Sequence, residues 1–284
     1  MHLTRRRFLG AAAATIASLA LYSGELERHW LEIVRLSIVV PRLPEAFHGF
    51  TIAQVSDIHF QEFTEAFFVQ HVVDVVNQLR PDLVALTGDF ISDGPFPSSY
   101  TEQRIGHCGE MMSKIQSPLR YAVMGNHDAL VDSAAMTLAL ESNGIPVLAN
   151  RYVPVERGNQ RFWLAGLEDA CIERPDLSMA IPGASLRQDE PVILLGHEPD
   201  YADIVARQAV DLMLSGHTHG GQIRIPFMRP HFLPQLGEKY VEGLFSIGPM
   251  QLYVNRGIGT VALPCRFNCP PEVTLITLKN RNEG

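Results

Sequence analysis

The amino-acid sequence predicts an α/β fold, layered and largely parallel, in a single domain over residues 25–284. Three observations carry that prediction. Short apolar runs alternate with segments of helical periodicity from about residue 50 onward. Several of those runs close on glycine followed by a short polar residue. No long linker, repeat or low-complexity tract interrupts the chain, and 284 residues at 46% hydrophobic content suffice to bury a sizeable core.

"FTIAQVSD" (50–57) reads as the first strand of the series. "AFFVQHVVDVVNQLR" (66–80) follows as a helix, because Phe68, Val72, Val75, Val76 and Leu79 recur at helical spacing and Pro81 ends it. "DLVALTGD" (82–89) and "LRYAVMGNHD" (119–128) read as strands, and "SAAMTLALESNGI" (133–145) as a helix closed by Asn143 and Gly144. "RFWLAGLED" (161–169), "PVILLGHEP" (191–199) and "VDLMLSGHTH" (210–219) continue the strands, with "DYADIVARQ" (200–208) as a helix between the last two. The tail, "QLYVNRGIGT" and "EVTLITLKN", reads as β.

Residues 1–24 are different in kind. Arg5, Arg6 and Arg7 precede an uncharged stretch from Phe8 to Gly24, rich in alanine and leucine. A basic segment followed by a short apolar one reads as an export signal rather than a full membrane span, which needs about 20 apolar residues. "TRRRFLG" resembles the twin-arginine export motif, so the export machinery expected is the one that passes folded proteins. The expected location is the periplasm or the outer face of the cytoplasmic membrane. Ser18-Leu19-Ala20 offers small residues for cleavage, and an uncleaved segment would keep the protein in peripheral contact with the membrane.

Formal net charge is -8, and removing the three arginines leaves -8 - 3 = -11. So acidic a body is a poor partner for nucleic acid, whose binding rests on clustered Lys and Arg. Of the four cysteines, Cys265 and Cys269 are close enough for a small disulfide loop in an oxidising compartment, or to stand as two free thiols on a turn.

The chemistry-bearing residues fall at the ends of the apolar runs. "VSDIH" ends on Asp57 and His59, "LTGDF" on Asp89, "MGNHD" on Asn126, His127 and Asp128, "LGHEP" on His197, and "SGHTH" on His217 and His219. Sites in open α/β sheets form outside the carboxyl ends of strands. Each residue alone is an ordinary cap, turn or core group. Two of these Asp (Asp57 and Asp89), the Asn and four of the His (His59, His197, His217 and His219), delivered to one edge, are a costly concentration of polar groups unless divalent metals satisfy them. Gly88, Gly125, Gly196 and Gly216 precede these residues and are expected to let the backbone turn sharply.

In this order, "SDIH", "TGDF", "GNHD", "GHEP" and "SGHTHGGQ" resemble the binuclear metallophosphoesterases of the calcineurin-like superfamily. "IRIP", "EKYVEG", "YVNRGIGT" and "CPPEVTLITL" are similar to a branch of exported or membrane-associated phosphodiesterases. The likeness spans about residues 50 to 279. It implies a four-layer fold, a two-sheet β-sandwich flanked by helices, carrying two divalent metals about 3.5 Å apart. Carried over by motif, Asp57, His59 and His219 hold one metal, Asn126, His197 and His217 the other, and Asp89 bridges them. His127 faces the phosphate as proton donor. The donor set suits Mn, Zn, Fe or Mg alike.

The expected activity is hydrolysis of a phosphate ester, most simply a phosphodiester, by attack of a metal-bridging hydroxide. Two readings stay open beside it. One is a pyrophosphohydrolase acting on a lipid-linked precursor such as UDP-2,3-diacylglucosamine, and the other is a non-catalytic metal-binding envelope module. All seven ligands and His127 are present, which favours the enzyme. Glu198 stands where the family often has Asn, and Ser92 where purple acid phosphatases place a tyrosinate. "IRIPFMRPHFLPQLGEKY" (223–240) mixes Arg224, Arg229 and Lys239 with Phe227, Phe232 and Tyr240. It fits either a cleft wall for an anionic, partly apolar substrate or a loop covering the core, and His231 is a candidate substrate contact.

Overall fold

The computed structural model describes residues 4–61, 63–92, 100–187, 189–230 and 232–281. Among these, strands β1 (Glu32–Val39), β2 (Thr51–Val55), β3 (Leu83–Thr87), β4 (Leu119–Val123) and β11 (Glu272–Lys279) form one sheet in the order β1-β11-β2-β3-β4. Strands β5 (Arg151–Arg157), β6 (Gln160–Gly166), β7 (Val192–Leu195), β8 (Leu212–Ser215), β9 (Gly243–Ile247) and β10 (Met250–Val254) form the second, ordered β5-β6-β7-β8-β10-β9. The helices are α1 (Arg5–Leu21), α2 (Ala66–Leu79), α3 (Thr101–Ser113), α4 (Asn126–Val131), α5 (Ser133–Ser142), and the short α6 (Leu177–Ala180), α7 (Ala184–Arg187) and α8 (Ala202–Val205).

Alternation along the strands makes the layers. Ile52 and Leu83 face the space between the sheets, where they pack with Phe162, Ile193, Leu195 and Leu214. Their neighbours Ala53 and Val84 point the other way, onto Val72 and Val76 of α2, Ile105 and Met112 of α3, and Leu140 of α5. On the far side of the second sheet, Leu194 and Met213 pack against Ala180 of α6 and Val205 of α8. Helices, sheet, sheet and helices give the four layers. A strand buried on both faces reads as a continuous apolar run, which is why β3, β7 and β8 stood out in the sequence.

Register then decides where the polar residues go. β2, β3 and β4 are mutually parallel, with Val55 opposite Leu86 and Thr87 opposite Val123. β6, β7, β8 and β10 are parallel too, with Leu195 opposite Leu214 and Ser215 opposite Val254. The carboxyl ends of β2, β3, β4, β7 and β8 therefore deliver their following residues to one edge of the sandwich. Gln54 pins the sheets together just below it, donating to Thr87 Oγ1 at 3.0 Å and to the Ser215 carbonyl at 2.9 Å.

Several elements depart from the sequence-based expectation. β1, β5, β9 and α3 were not anticipated. α3 carries Gly106 and Gly109 and much polar surface, which masks its buried Ile105, Cys108 and Met112. "DYADIVARQ" is a short 3-10 turn running into the single turn of α8 rather than a full helix. The N-terminal helix runs on through residue 29, long and apolar enough to cross a membrane, although an export signal passes the same test. None of α1 is buried. All four cysteines are free thiols, and Cys269 donates to the His219 carbonyl at 3.3 Å.

Candidate metal centre

Seven of the eight expected site residues follow strands β2, β3, β7 and β8 or open α4, and the eighth, His127, is the second residue of α4. Asp57, His59, Asp89, His197, His217 and His219 are buried. The donor atoms fall into overlapping groups. Asp57, His59 and His219 make one, Asp89, His197 and His217 another, and His59, Asp89 and His127 a third that joins them; within each group the donors lie within 4.8 Å of one another. His59 Nε2 lies 3.0 Å from His219 Nε2 and 3.7 Å from Asp89 Oδ2, and His197 Nε2 lies 3.1 Å from the same Asp89 oxygen. His219 Nε2 is 3.4 Å from Asp57 Oδ1. The two histidines of "HTH" thus separate, His219 toward Asp57 and His217 toward Asp89. His231 lies outside the described residues.

The backbone is strained to achieve this. Asp57, His59, Asp89, His217 and His219 all have left-handed φ, between 46° and 73°. For residues with a Cβ this costs about 1 kcal/mol each, and such strain gathers where function requires a geometry. Of the glycines expected to turn the chain, only Gly88 has positive φ. Gly125 and Gly216 are there for space instead: a Cβ at Gly125 would collide with Asp89 Oδ1, and one at Gly216 with Ser56 Oγ and Asp57 Oδ2. Substituting Gly216→Ala is accordingly expected to destabilise the fold by about 1–3 kcal/mol, the range for overpacking a tight interior. Urea denaturation of the variant checks this, and an unchanged midpoint would show that the Asp57 loop yields freely.

Hydrogen bonds fix which ring nitrogens can ligate. A carbonyl only accepts, so His197 Nδ1–H donates to Thr87 at 2.6 Å and leaves Nε2 for the centre. His217 Nε2–H likewise donates to the Gln235 carbonyl at 2.7 Å, which leaves Nδ1. Burial holds His59 and His219 well below the usual histidine range, and lowers His217, so these rings present lone pairs at neutral pH. Burial alone would raise the Asp89 carboxyl, but His197, His59 and His127 outweigh it and keep Asp89 ionised. The same contact raises His197 against its own desolvation. Asn126 Oδ1 is buried without a hydrogen-bond partner. Neutral imidazoles crowding two carboxylates, beside an orphaned amide oxygen, fit divalent cations.

Sequence reasoning named Asp128 but gave it no role. Its Oδ1 accepts from the N–H of Phe90 and Ile91 at 2.9 and 3.1 Å, and its Oδ2 from Gly125 N–H at 3.0 Å. It ties the loop carrying Asp89 to the loop carrying Asn126 and His127. Burial, and then the neighbouring Asp89, push its carboxyl up to about 8. Arg266 was missed altogether. Fully buried, it donates to the carbonyls of Arg256, Gly257, Gly259 and Cys269, and Gly257 packs against Asp57. An arginine in a cysteine-flanked turn carries no sequence signal for such a place. Glu198 is buried behind His197, where its Oε2 accepts from Ala170 N–H at 3.0 Å; burial, then a hydrogen bond with Asp169, raise its carboxyl well above the usual range.

Above the donors lies a cleft of about 420 Å³, lined by Asp89, Asn126, His127, His217 and His219 together with apolar Phe232, Leu233, Val261 and Leu263. Of the mixed segment 223–240, Ile223, Phe232, Leu233 and Pro234 reach the cleft, whereas Phe227 is fully exposed to solvent. Arg224 pairs with Glu242, and Lys239 with Asp203 at 2.6 Å, while Tyr240 is buried and donates to Asp203.

The profile of the family described as calcineurin-like phosphoesterase matches residues 50–221. The chain belongs to that family. Over 99% of both chains it is 33% identical to the metallophosphoesterase YkuE of Bacillus subtilis. It is 32% identical to the phosphodiesterase YaeI of Escherichia coli over 97% of this chain and 99% of that one. A Danio rerio transmembrane protein with a metallophosphoesterase domain is 32% identical over 87% of this chain and 57% of its own length. The four-layer architecture is that of the calcineurin-like phosphoesterases, and the chain is a phosphoric ester hydrolase of that family, with residue clusters suited to a binuclear site.

Proposed function

We propose that this metallophosphoesterase is an exported phosphodiesterase, acting on a phosphate diester that carries apolar groups. Asp57, His59 and His219 would hold one divalent ion, and Asn126, His197 and His217 the other, with Asp89 shared. The observation that carries this is that the two donor groups are joined through His59 and Asp89, whose donor atoms also lie within one group, in the wall of an open cleft. Divalent ions held there would supply a water of lowered pKa, from 15.7 toward about 7, and positive charge beside the phosphoryl oxygens. The protein supplies the rest. His217 and His197 are oriented by the Gln235 and Thr87 carbonyls, and Asp89 is held by the His127 backbone N–H at 2.9 Å. The His127 ring lines the cleft and stands where it can give a proton to the leaving oxygen.

The apolar wall of Phe232, Leu233, Val261 and Leu263 supports a lipid-linked substrate. So does the position of the N-terminal helix, whose end abuts the segment that forms that wall: Arg266 N–H donates to the Ser23 carbonyl at 3.0 Å. Together with "TRRRFLG" and the unburied α1, this supports residues 1–24 as a twin-arginine signal or retained anchor, residues 25–284 as the catalytic domain, and action at the outer face of the membrane. A pyrophosphate-linked lipid precursor fits the same wall.

Stripping the purified protein with a chelator is expected to abolish hydrolysis of an aryl phosphodiester, and added Mn²⁺ or Zn²⁺ to restore it. The diester should turn over faster than the matching monoester. Full turnover in the stripped protein, or no turnover of either ester with two ions bound, would overturn the reading.

A further inference from the structure

A second cavity, about 790 Å³ in volume, is lined by Pro264, next in sequence to the 261–263 run of the catalytic cleft, and shares no lining residue with that cleft. Arg28, Thr64, Gln103, Tyr100 and Arg104 line it. Arg104, from α3, is only 7% exposed, and its Nε and Nη1 find no hydrogen-bond partner. Thr64 Oγ1 and Arg28 Nε are buried and unpartnered as well. Burying a guanidinium without an acceptor is costly, and native proteins tolerate it where something supplies the acceptor.

The carboxylate that also lines this cavity does not do so. Glu65 accepts from Arg28 Nη2 at 2.6 Å, and its other oxygen faces His29 Nε2 at 3.0 Å. Arg28 is thereby matched, and among the described residues Arg104 has no carboxylate or other acceptor partner, in an otherwise acidic protein. We infer that this cavity is a second anion site, distinct from the metal centre, which takes a phosphate-type oxyanion on Arg104 and Thr64. Donors set around one space suit a tetrahedral oxyanion, which accepts from several directions, and guanidinium is the side chain best matched to phosphate. The volume exceeds that of a bare ion, so the phosphate carries a further polar group that lies against Tyr100 and Gln103. Arg28 belongs to the turn that follows α1, so the site sits at the root of the N-terminal helix, where a phospholipid headgroup or a soluble phosphoester reaches it equally well.

The test is equilibrium dialysis of the metal-loaded full-length protein, in detergent, against inorganic phosphate. Two phosphates per chain are expected for the wild type, one at the metals and one at Arg104, and one for Arg104→Gln. Arg104→Lys, which keeps the charge but loses the fork, should bind the second phosphate at least tenfold more weakly. Hydrolysis of an aryl diester at the wild-type rate by both variants reports that they are folded and that the metal centre is intact. A single phosphate per wild-type chain that persists on Arg104→Gln overturns the proposal, as do two phosphates on Arg104→Gln, whereas a single phosphate that Arg104→Gln loses still assigns the site to Arg104. Dihexanoyl phosphatidylglycerol competing for the second site at least tenfold better than glycerol 3-phosphate assigns it to a lipid headgroup. Equal competition assigns it to a soluble phosphoester.

Discussion

Replacing Asp89 by Asn is expected to lower kcat/KM on an aryl phosphodiester by about 10³ or more, equivalent to about 4 kcal/mol of transition-state stabilisation. The bound metal should fall from two ions toward one. The reasoning is electrostatic. The donor groups contain two carboxylates, Asp57 and Asp89, and the remaining donors, imidazoles and the Asn126 amide, bring no negative charge. Two divalent ions bring four positive charges, so losing either carboxylate halves the compensating charge. Asp89 is the more damaging loss because it alone faces both halves, with His59 at 3.7 Å and His197 at 3.1 Å from one oxygen. An amide in its place keeps one accepting oxygen and the volume, but it turns an NH₂ toward one of those neighbours. The fold should survive, since removing this charge also relieves the buried Asp128. Metal analysis alongside the kinetics decides: a variant with two ions and a rate within tenfold of wild type would show that Asp89 is not shared.

How far the centre could be read beforehand follows from what each residue depends on. Asp57, Asp89, His197, His217 and His219 were legible because parallel strands buried on both faces leave an unmistakable apolar run, and whatever follows such a run lands on one edge. Their left-handed backbones were not legible, since Asp and His, although enriched at positive φ, adopt it in only a small minority of places. Glycine misled in the same way. A Gly before a ligand suggests a turn, whereas at Gly125 and Gly216 it marks the close approach of Asp89 and of Asp57, contacts made across the fold. Arg266 and Gln54 escaped for a related reason. Their roles consist of hydrogen bonds to carbonyls or hydroxyls distant in sequence, and a side chain does not announce a distant partner. In the fold, β1 and β5 were missed because they are edge strands, partly exposed and mixed in composition. The strands that position the site were found, as were β6, β10 and β11, and the edge strands β1, β5 and β9 were not.

His127 offers the sharper test of mechanism, because its two contributions can be separated. Its backbone N–H donates to Asp89 Oδ1 at 2.9 Å, and any substitution that keeps the helix keeps that bond. Its ring lines the cleft, edge-on to His59 with centroids 4.9 Å apart. Replacing His127 by Gln should therefore leave two ions bound while lowering kcat by about 10²–10⁴, the usual range for losing a positioned general acid. The size of the loss should depend on the leaving group. A nitrophenolate departs without a proton and should show the smaller deficit, whereas an alkoxide needs one and should show the larger. A group acting only through charge on the phosphoryl oxygens would slow both substrates alike. Comparing aryl and alkyl diesters in wild type and His127→Gln, with metal content measured on the same samples, separates these cases. Equal losses on the two esters would remove the proton-donor role and leave His127 as an electrostatic contact, and loss of an ion would make it a positioning residue for Asp89 instead.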